Sequence, residues 1–162
     1  MSLDPFWDWL ANTDLAFAIG ATWWFPLLES IHVIAIALVV GSILMVDLRL
    51  LGVAARSYAM RRISRELTPW AWAGFAVATI TGAGMFMTRP AAYAANPAFQ
   101  TKLVLLALAG INVAALHNLA MRDIDRWDTD AATPRTAKFA GAVSLVIWAG
   151  VILAGRWTGH LN

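Results

Sequence analysis

Four long apolar stretches separated by short polar segments set the pattern of this chain. The first covers 23–51, and its centre, 31–46, is a run of apolar and small residues interrupted only by His32. The others cover 69–88, 101–121 and 137–158. None alternates apolar and polar residues with period two, so none reads as a strand. A hydrocarbon core about 30 Å thick takes roughly 20 helical residues to cross. Three stretches match that length, and the first is long enough to tilt or to project at its start. Backbone groups in lipid must pair within their own segment, so each stretch predicts a helix. Ahead of them, 4–18 predicts a short amphipathic helix lying in the membrane interface, with Asp4 as N-cap, Pro5 in the first turn and Phe6, Trp7, Trp9 and Leu10 on its apolar face. The expectation is an all-α integral membrane protein, one domain over 1–162, folded as a four-helix up-down bundle because the connections are short.

Composition agrees. Apolar residues make up 60% of the chain and charged residues 14%, against roughly 45–50% and about 25% in soluble domains. That balance disfavours a solvated globular domain, a coiled coil and a disordered chain. With no cysteine, disulfides, thiolate metal sites, iron–sulfur clusters and c-type haem attachment are excluded.

Charge placement orients the spans. None of the 12 basic residues precedes Arg49. Arg49, Arg56, Arg61, Arg62 and Arg65 follow the first span, and Arg122, Arg126, Arg135 and Lys138 follow the third. The remaining segments carry only Arg89, Lys102 and Arg156. The basic segments are expected inside and both termini outside, in a bacterial inner membrane. The acids between Asp123 and Asp130 contribute little to this rule. Trp7, Trp9, Trp23, Trp24 and Trp157 then belong to the outer interface, and Trp70, Trp72 and Trp127 to the inner one. The segment 1–22 holds Asp4, Asp8 and Asp14 but no Lys or Arg, so it does not read as a signal peptide. The inner arginines suit anionic lipid headgroups and call for no nucleic acid.

Polar residues inside spans are costly and therefore informative. Glu29 and His32 lie about 60° apart on one face of the first helix, near its outer end. Asp47 and Arg49 stand near its inner end, where they read as an anchor or a pair. Lys102 opens the third span, Asn112 is central, and His117 and Asn118 are near its inner end. His32 and Asp47 are separated by about 22 Å of helix, and His117 is expected about 15 Å deeper than His32. A pair made of His32 and His117 is therefore excluded. The outer level is better furnished, with Glu29, His32, Met85, Met87, Lys102 and His160. His32, His160 and Met85 form a candidate copper site, although Met85 and Met87 point to nearly opposite helix faces. The glycines at 82 and 84 lie inside a span and read as packing positions, together with Ala71, Gly74 and Ala78.

The run from Glu29-Ser-Ile-His32 to Gly41, closing in Asp47-Leu-Arg49-Leu-Leu-Gly52, resembles a family of small uncharacterised bacterial four-helix membrane proteins. So does Asn96-Pro-Ala-Phe-Gln-Thr-Lys102, continuing to His117-Asn118. An early-span His followed by Gly, with Arg near that span's end, is distantly similar to the HemJ-type protoporphyrinogen oxidase family and to copper-resistance CopD-like membrane domains. The first of these likenesses implies a b-type haem, with His32 as axial ligand and Lys102 as second ligand or propionate partner. The expected function is a membrane redox protein with haem b near the outer face, bound by His32, Lys102 and Glu29. It would pass electrons to a quinone or a periplasmic partner. The alternatives are a non-catalytic subunit of a larger membrane complex, a homo-oligomer among them, and a copper-handling protein using His32, His160 and Met85.

Overall fold

The computed structural model describes residues 3–119, 121–129 and 133–160. Ala120, at the foot of the third expected span, and Asp130, in the inner acidic run, lie outside them. Among the described residues the regular structure is all helical: α1 (Asp4–Ala11), α2 (Asp14–Ala21), α3 (Trp24–Leu51), α4 (Met60–Thr88), α5 (Pro90–Ala95), α6 (Pro97–Leu119), a 3-10 turn (Met121–Arg126) and α7 (Arg135–Thr158). Helices α3, α4, α6 and α7 are long and apolar enough to cross a membrane.

Three boundaries differ from expectation, each for a local reason. The helix expected over 4–18 is two helices. Thr13 adopts an extended backbone and accepts from the Ala16 N–H through its hydroxyl, which starts α2 afresh. Asp4 is already inside α1, whose N-cap is Leu3, so the aspartate is not the cap. Helix α4 begins at Met60, nine residues before the apolar stretch. Its polar opening is held because Met60 and Ile63 are buried there, and because Asp128 caps it from across the fold. The Asp128 carbonyl accepts from the Met60 N–H at 3.0 Å, and its Oδ1 accepts from the Arg61 N–H at 2.8 Å. Helix α6 opens at Pro97 rather than 101, because Asn96 Oδ1 accepts from the N–H groups of Ala98 and Phe99. At the other end of α3, Gly52 closes the helix in the left-handed region at φ 72°, where a side chain would be strained.

Neighbouring long helices run in opposite directions. On α3 and α4, Leu28 meets Gly84, His32 meets Gly82, and Ala35 and Val39 meet Gly74. On α6 and α7, Asn112 Nδ2 donates to the Ala140 carbonyl at 3.0 Å, and Leu105 and Lys102 lie against Gly150 and Gly155. Asn96 Nδ2 donates to the Thr158 carbonyl at 3.2 Å, tying the start of α6 to the end of α7. Helix α3 joins α7 through Asp47 and Leu50 against Gly141. The end bearing α1, α2 and α5 is called the upper end below, and the end bearing the 3-10 turn the lower.

The lower end is closed by a small core of Leu50, Met60, Ile124, Trp127 and Ala137. Trp127, expected at the interface, is instead 2% exposed, because the 3-10 turn folds its ring under α3 and α4. Arg49 stitches this end together. Its Nε donates to the Tyr58 carbonyl, Nη2 to the Asp128 carbonyl and Nη1 to the Thr133 hydroxyl. Asp47 is not its partner: it is buried beside Ser144 of α7, with Oδ2 lacking any hydrogen-bond partner among the described residues.

Candidate functional site

The upper half of α3 presents Glu29 and His32 one turn apart, and the structure treats them differently. His32 is half-buried, with Nδ1 2.9 Å from the Thr81 hydroxyl of α4. Glu29 is exposed, although its charge is felt by Tyr93 of α5. Although the two share one face of the helix, only His32 is turned into the packing against α4.

The hydrogen bonds around Thr81 determine which nitrogen of His32 carries a proton. Thr81 is 4% exposed, and its hydroxyl oxygen has two backbone carbonyls within donating distance, Val77 at 2.8 Å and Ala78 at 3.2 Å. A hydroxyl has one hydrogen to donate. With that hydrogen given to either carbonyl, Thr81 Oγ1 accepts from His32 Nδ1–H. In the neutral ring, Nε2 is left with a free lone pair. Gly82 makes this placement possible, because a Cβ there would lie 3.1 Å from His32 Cε1. The sequence reading assigned Gly82 to packing and missed Thr81. One threonine in an apolar helix carries no sign of which neighbour it will meet.

Lys102 comes to the same region from α6. Its charge is near enough to act on His32. Its Nζ stands 5.6 Å from the centroid of the Phe99 ring, a cation–π distance. Gly155 of α7 leaves room for its stem. Among the described residues Lys102 has no carboxylate partner within ion-pairing distance. Phe99 belongs to an aromatic cluster with Phe86 (5.5 Å between centroids) and Tyr93 (5.9 Å), and Trp7 of α1 meets Phe86 at 5.8 Å. Burial pushes the Tyr93 phenol above its usual range; Arg89 opposes this and Glu29 adds to it. A cavity of about 450 Å³ adjoins the cluster, with Phe17, Phe25, Thr88, Arg89 and Tyr93 in its wall.

The remaining candidates are scattered. Met85 and Met87 are half-buried and His160 is exposed beyond α7. Among the described residues no three His, Asp or Glu side chains gather as a metal site would need. His117 sits at the lower end beside Arg61 and Arg65 of α4, beyond the level of Asp47 and so more than about 22 Å from His32 along the helices. That separation exceeds the 15 Å expected.

His32 and Lys102 are the residues of the upper site that could hold a cofactor or metal. An imidazole with its Nδ1–H already engaged offers Nε2, the arrangement in which histidine ligates metals. No curated protein and no solved structure matches the chain. The model of the family of unknown function DUF6644 matches residues 6–161. The chain belongs to that family.

Proposed function

We propose that this is a multi-pass protein of the bacterial inner membrane whose upper site holds a b-type haem and transfers electrons. In this reading α3, α4, α6 and α7 cross the bilayer as an up-down bundle with both termini outside. The exposed side chains of the long helices support it: Ile34, Ile80, Ile111 and Val146 all point away from the protein, an apolar surface that water would not tolerate. The lower end carries Arg61, Arg62, Arg65, Arg122 and Arg126, as expected of an inner face. Reporter fusions after Arg62 and Ala92 should give inside and outside signals respectively. The same side for both would end this topology.

The observation that carries the haem reading is the placement of His32, its Nδ1 2.9 Å from the Thr81 hydroxyl; with Nδ1–H given to Thr81, Nε2 is the nitrogen that would ligate a metal. Haem would supply one-electron chemistry, with a potential set by axial ligation and burial. The chain's residues do the rest. Thr81 holds the ring and its tautomer, Gly82 gives the ring its space, and Lys102 supplies a second ligand or a cation for a propionate. Glu29 edges the site on its exposed side. The 450 Å³ cavity between Phe25 and Tyr93 lies about two turns, roughly 10 Å, above His32 along α3. Its aromatic wall and the Arg89 and Tyr93 donors suit a quinone ring as electron partner, with a periplasmic redox protein as the alternative.

A reduced-minus-oxidised absorption spectrum of protein purified in mild detergent from haem-replete cells tests this reading. Wild type should show one b-type signal. His32→Ala should abolish it, Lys102→Ala should weaken or shift it, and His117→Ala should leave it unchanged. A colourless wild type would defeat the haem reading in favour of a non-catalytic subunit. Copper that co-purifies and is lost in His32→Ala would instead favour the site of His32, His160 and Met85.

A further inference from the structure

At the lower end a cavity of about 390 Å³ opens between the first turns of α4 and the end of α6. Arg61, Ser64, Arg65 and Thr68 recur at helical spacing along one face of α4 and form its polar wall. Pro69 and Trp72 continue that face into the apolar part of the helix, and His117 and Met121 close the far side. We infer that this cavity binds the phosphate headgroup of an anionic phospholipid, with the acyl chains rising past Trp72.

The charges favour an anion. Arg65 is exposed and meets no carboxylate among the described residues. Arg61 gives Nη2 to Asp125 at 2.6 Å and keeps the rest of its fork. Two guanidinium groups one turn apart match a phosphate diester, whose oxygens accept paired N–H bonds. The hydroxyls of Ser64 and Thr68, 3.4 Å from each other, stand on the same wall as further donors.

The source of the phosphate follows from where the cavity sits. Trp70 is 60% and Trp72 65% exposed, one turn beyond Thr68. Exposed tryptophans at the junction of a polar and an apolar run of a spanning helix mark the headgroup level. A ligand that touches Arg65 at one end and Trp72 at the other is polar where it meets the arginines and apolar beyond them, as a phospholipid is and a free phosphate is not. His117 thereby gains a role that the upper site does not give it. Its Nδ1 donates to the Val113 carbonyl at 3.3 Å, which holds the ring against the side of α6 as the far wall. None of this depends on the haem.

Native mass spectrometry of the full-length protein, released from detergent micelles doped with equal phosphatidylglycerol and phosphatidylcholine, tests the inference. Wild type should retain phosphatidylglycerol in preference. Arg65→Gln should lower that retention about fivefold, the factor for one arginine near a headgroup, and Arg65→Lys should recover most of it, since a point charge still binds phosphate. Arg65 is exposed, so these variants keep the fold. Arg126→Gln, at the same end but outside the cavity and paired with Asp123, should leave retention unchanged. Equal retention of the two lipids, or equal loss in Arg126→Gln, would overturn the inference in favour of diffuse surface charge. Displacement of the lipid by inorganic phosphate would overturn it in favour of a free anion.

Discussion

Replacing Gly74 with leucine should drive α3 and α4 apart and cost more than any other single change at a glycine of this protein. A Cβ at Gly74 would lie 2.9 Å from Val39 Cγ2, 3.0 Å from the Ala35 carbonyl oxygen and 3.3 Å from the Val39 N. Two of those neighbours are backbone atoms, which no rotamer change can move. Helix association in lipid rests on close packing rather than on exclusion of water, so separation of the axes loses contacts along the whole interface. Even Gly74→Ala should cost about 1–3 kcal/mol, the usual range for overpacking, and Gly74→Leu more. Unfolding in mixed micelles of rising SDS fraction would measure it. Gly41→Ala and Gly110→Ala are the controls: a Cβ at either meets nothing within 4 Å, and alanine is the better helix former. Both should unfold at or above the wild-type midpoint. If Gly74→Ala joined them there, the close approach of α3 and α4 would be wrong.

Arg49→Ala should have an effect as large, at the other end of α3. The guanidinium is 4% exposed and donates to the carbonyls of Tyr58 and Asp128 at 2.9 and 3.0 Å and to the Thr133 hydroxyl at 3.4 Å. Hydrogen bonds from a charged donor contribute roughly 1.5–3 kcal/mol each, and they are not additive within one side chain. A total loss of about 3–5 kcal/mol is expected. Because Asp128 also caps α4 through its carbonyl and Oδ1, the loss should spread to the start of α4 and to the segment after the 3-10 turn. Limited proteolysis should then cut near Arg122 and Arg126 sooner than in wild type. Arg49→Lys should recover less than half, since a point charge cannot serve acceptors placed around a planar fork. Wild-type unfolding and proteolysis in Arg49→Ala would refute the clasp.

These two residues show where the sequence is silent. The four long helices are legible in the chain because their cause is local: a run of apolar residues long enough to cross a bilayer needs its backbone bonds closed within itself. The breaks were less legible. Thr13 divides the first helix by a single hydroxyl contact. The extension of α4 back to Met60 depends on Asp128, 67 positions along the chain from Arg61. Arg49 was visible as an anchor, but its acceptors on Asp128 and Thr133 lie 79 and 84 residues away. Trp127 was placed at an interface because tryptophans gather there; its burial follows from a turn that the apolar pattern does not encode.

The candidate site divides in the same way. Glu29, His32 and Lys102 could be singled out because ionisable side chains are rare and expensive in apolar helices. That His32 turns to Thr81, 49 residues on, while Glu29 one turn earlier stays exposed, was decided only by how α3 lies on α4. In a soluble helix a polar face and an apolar face announce which side is buried. Here both faces of each long helix are apolar over its apolar stretch, so Gly41, Gly74 and Gly110 look alike in the chain although only one of them touches a neighbouring helix. The sequence by itself determined that there are four long helices and at which end the basic residues lie. Which faces meet, and hence which hydroxyl orders His32 and which carbonyls hold Arg49, was decided by packing between helices whose surfaces carry no polarity to read.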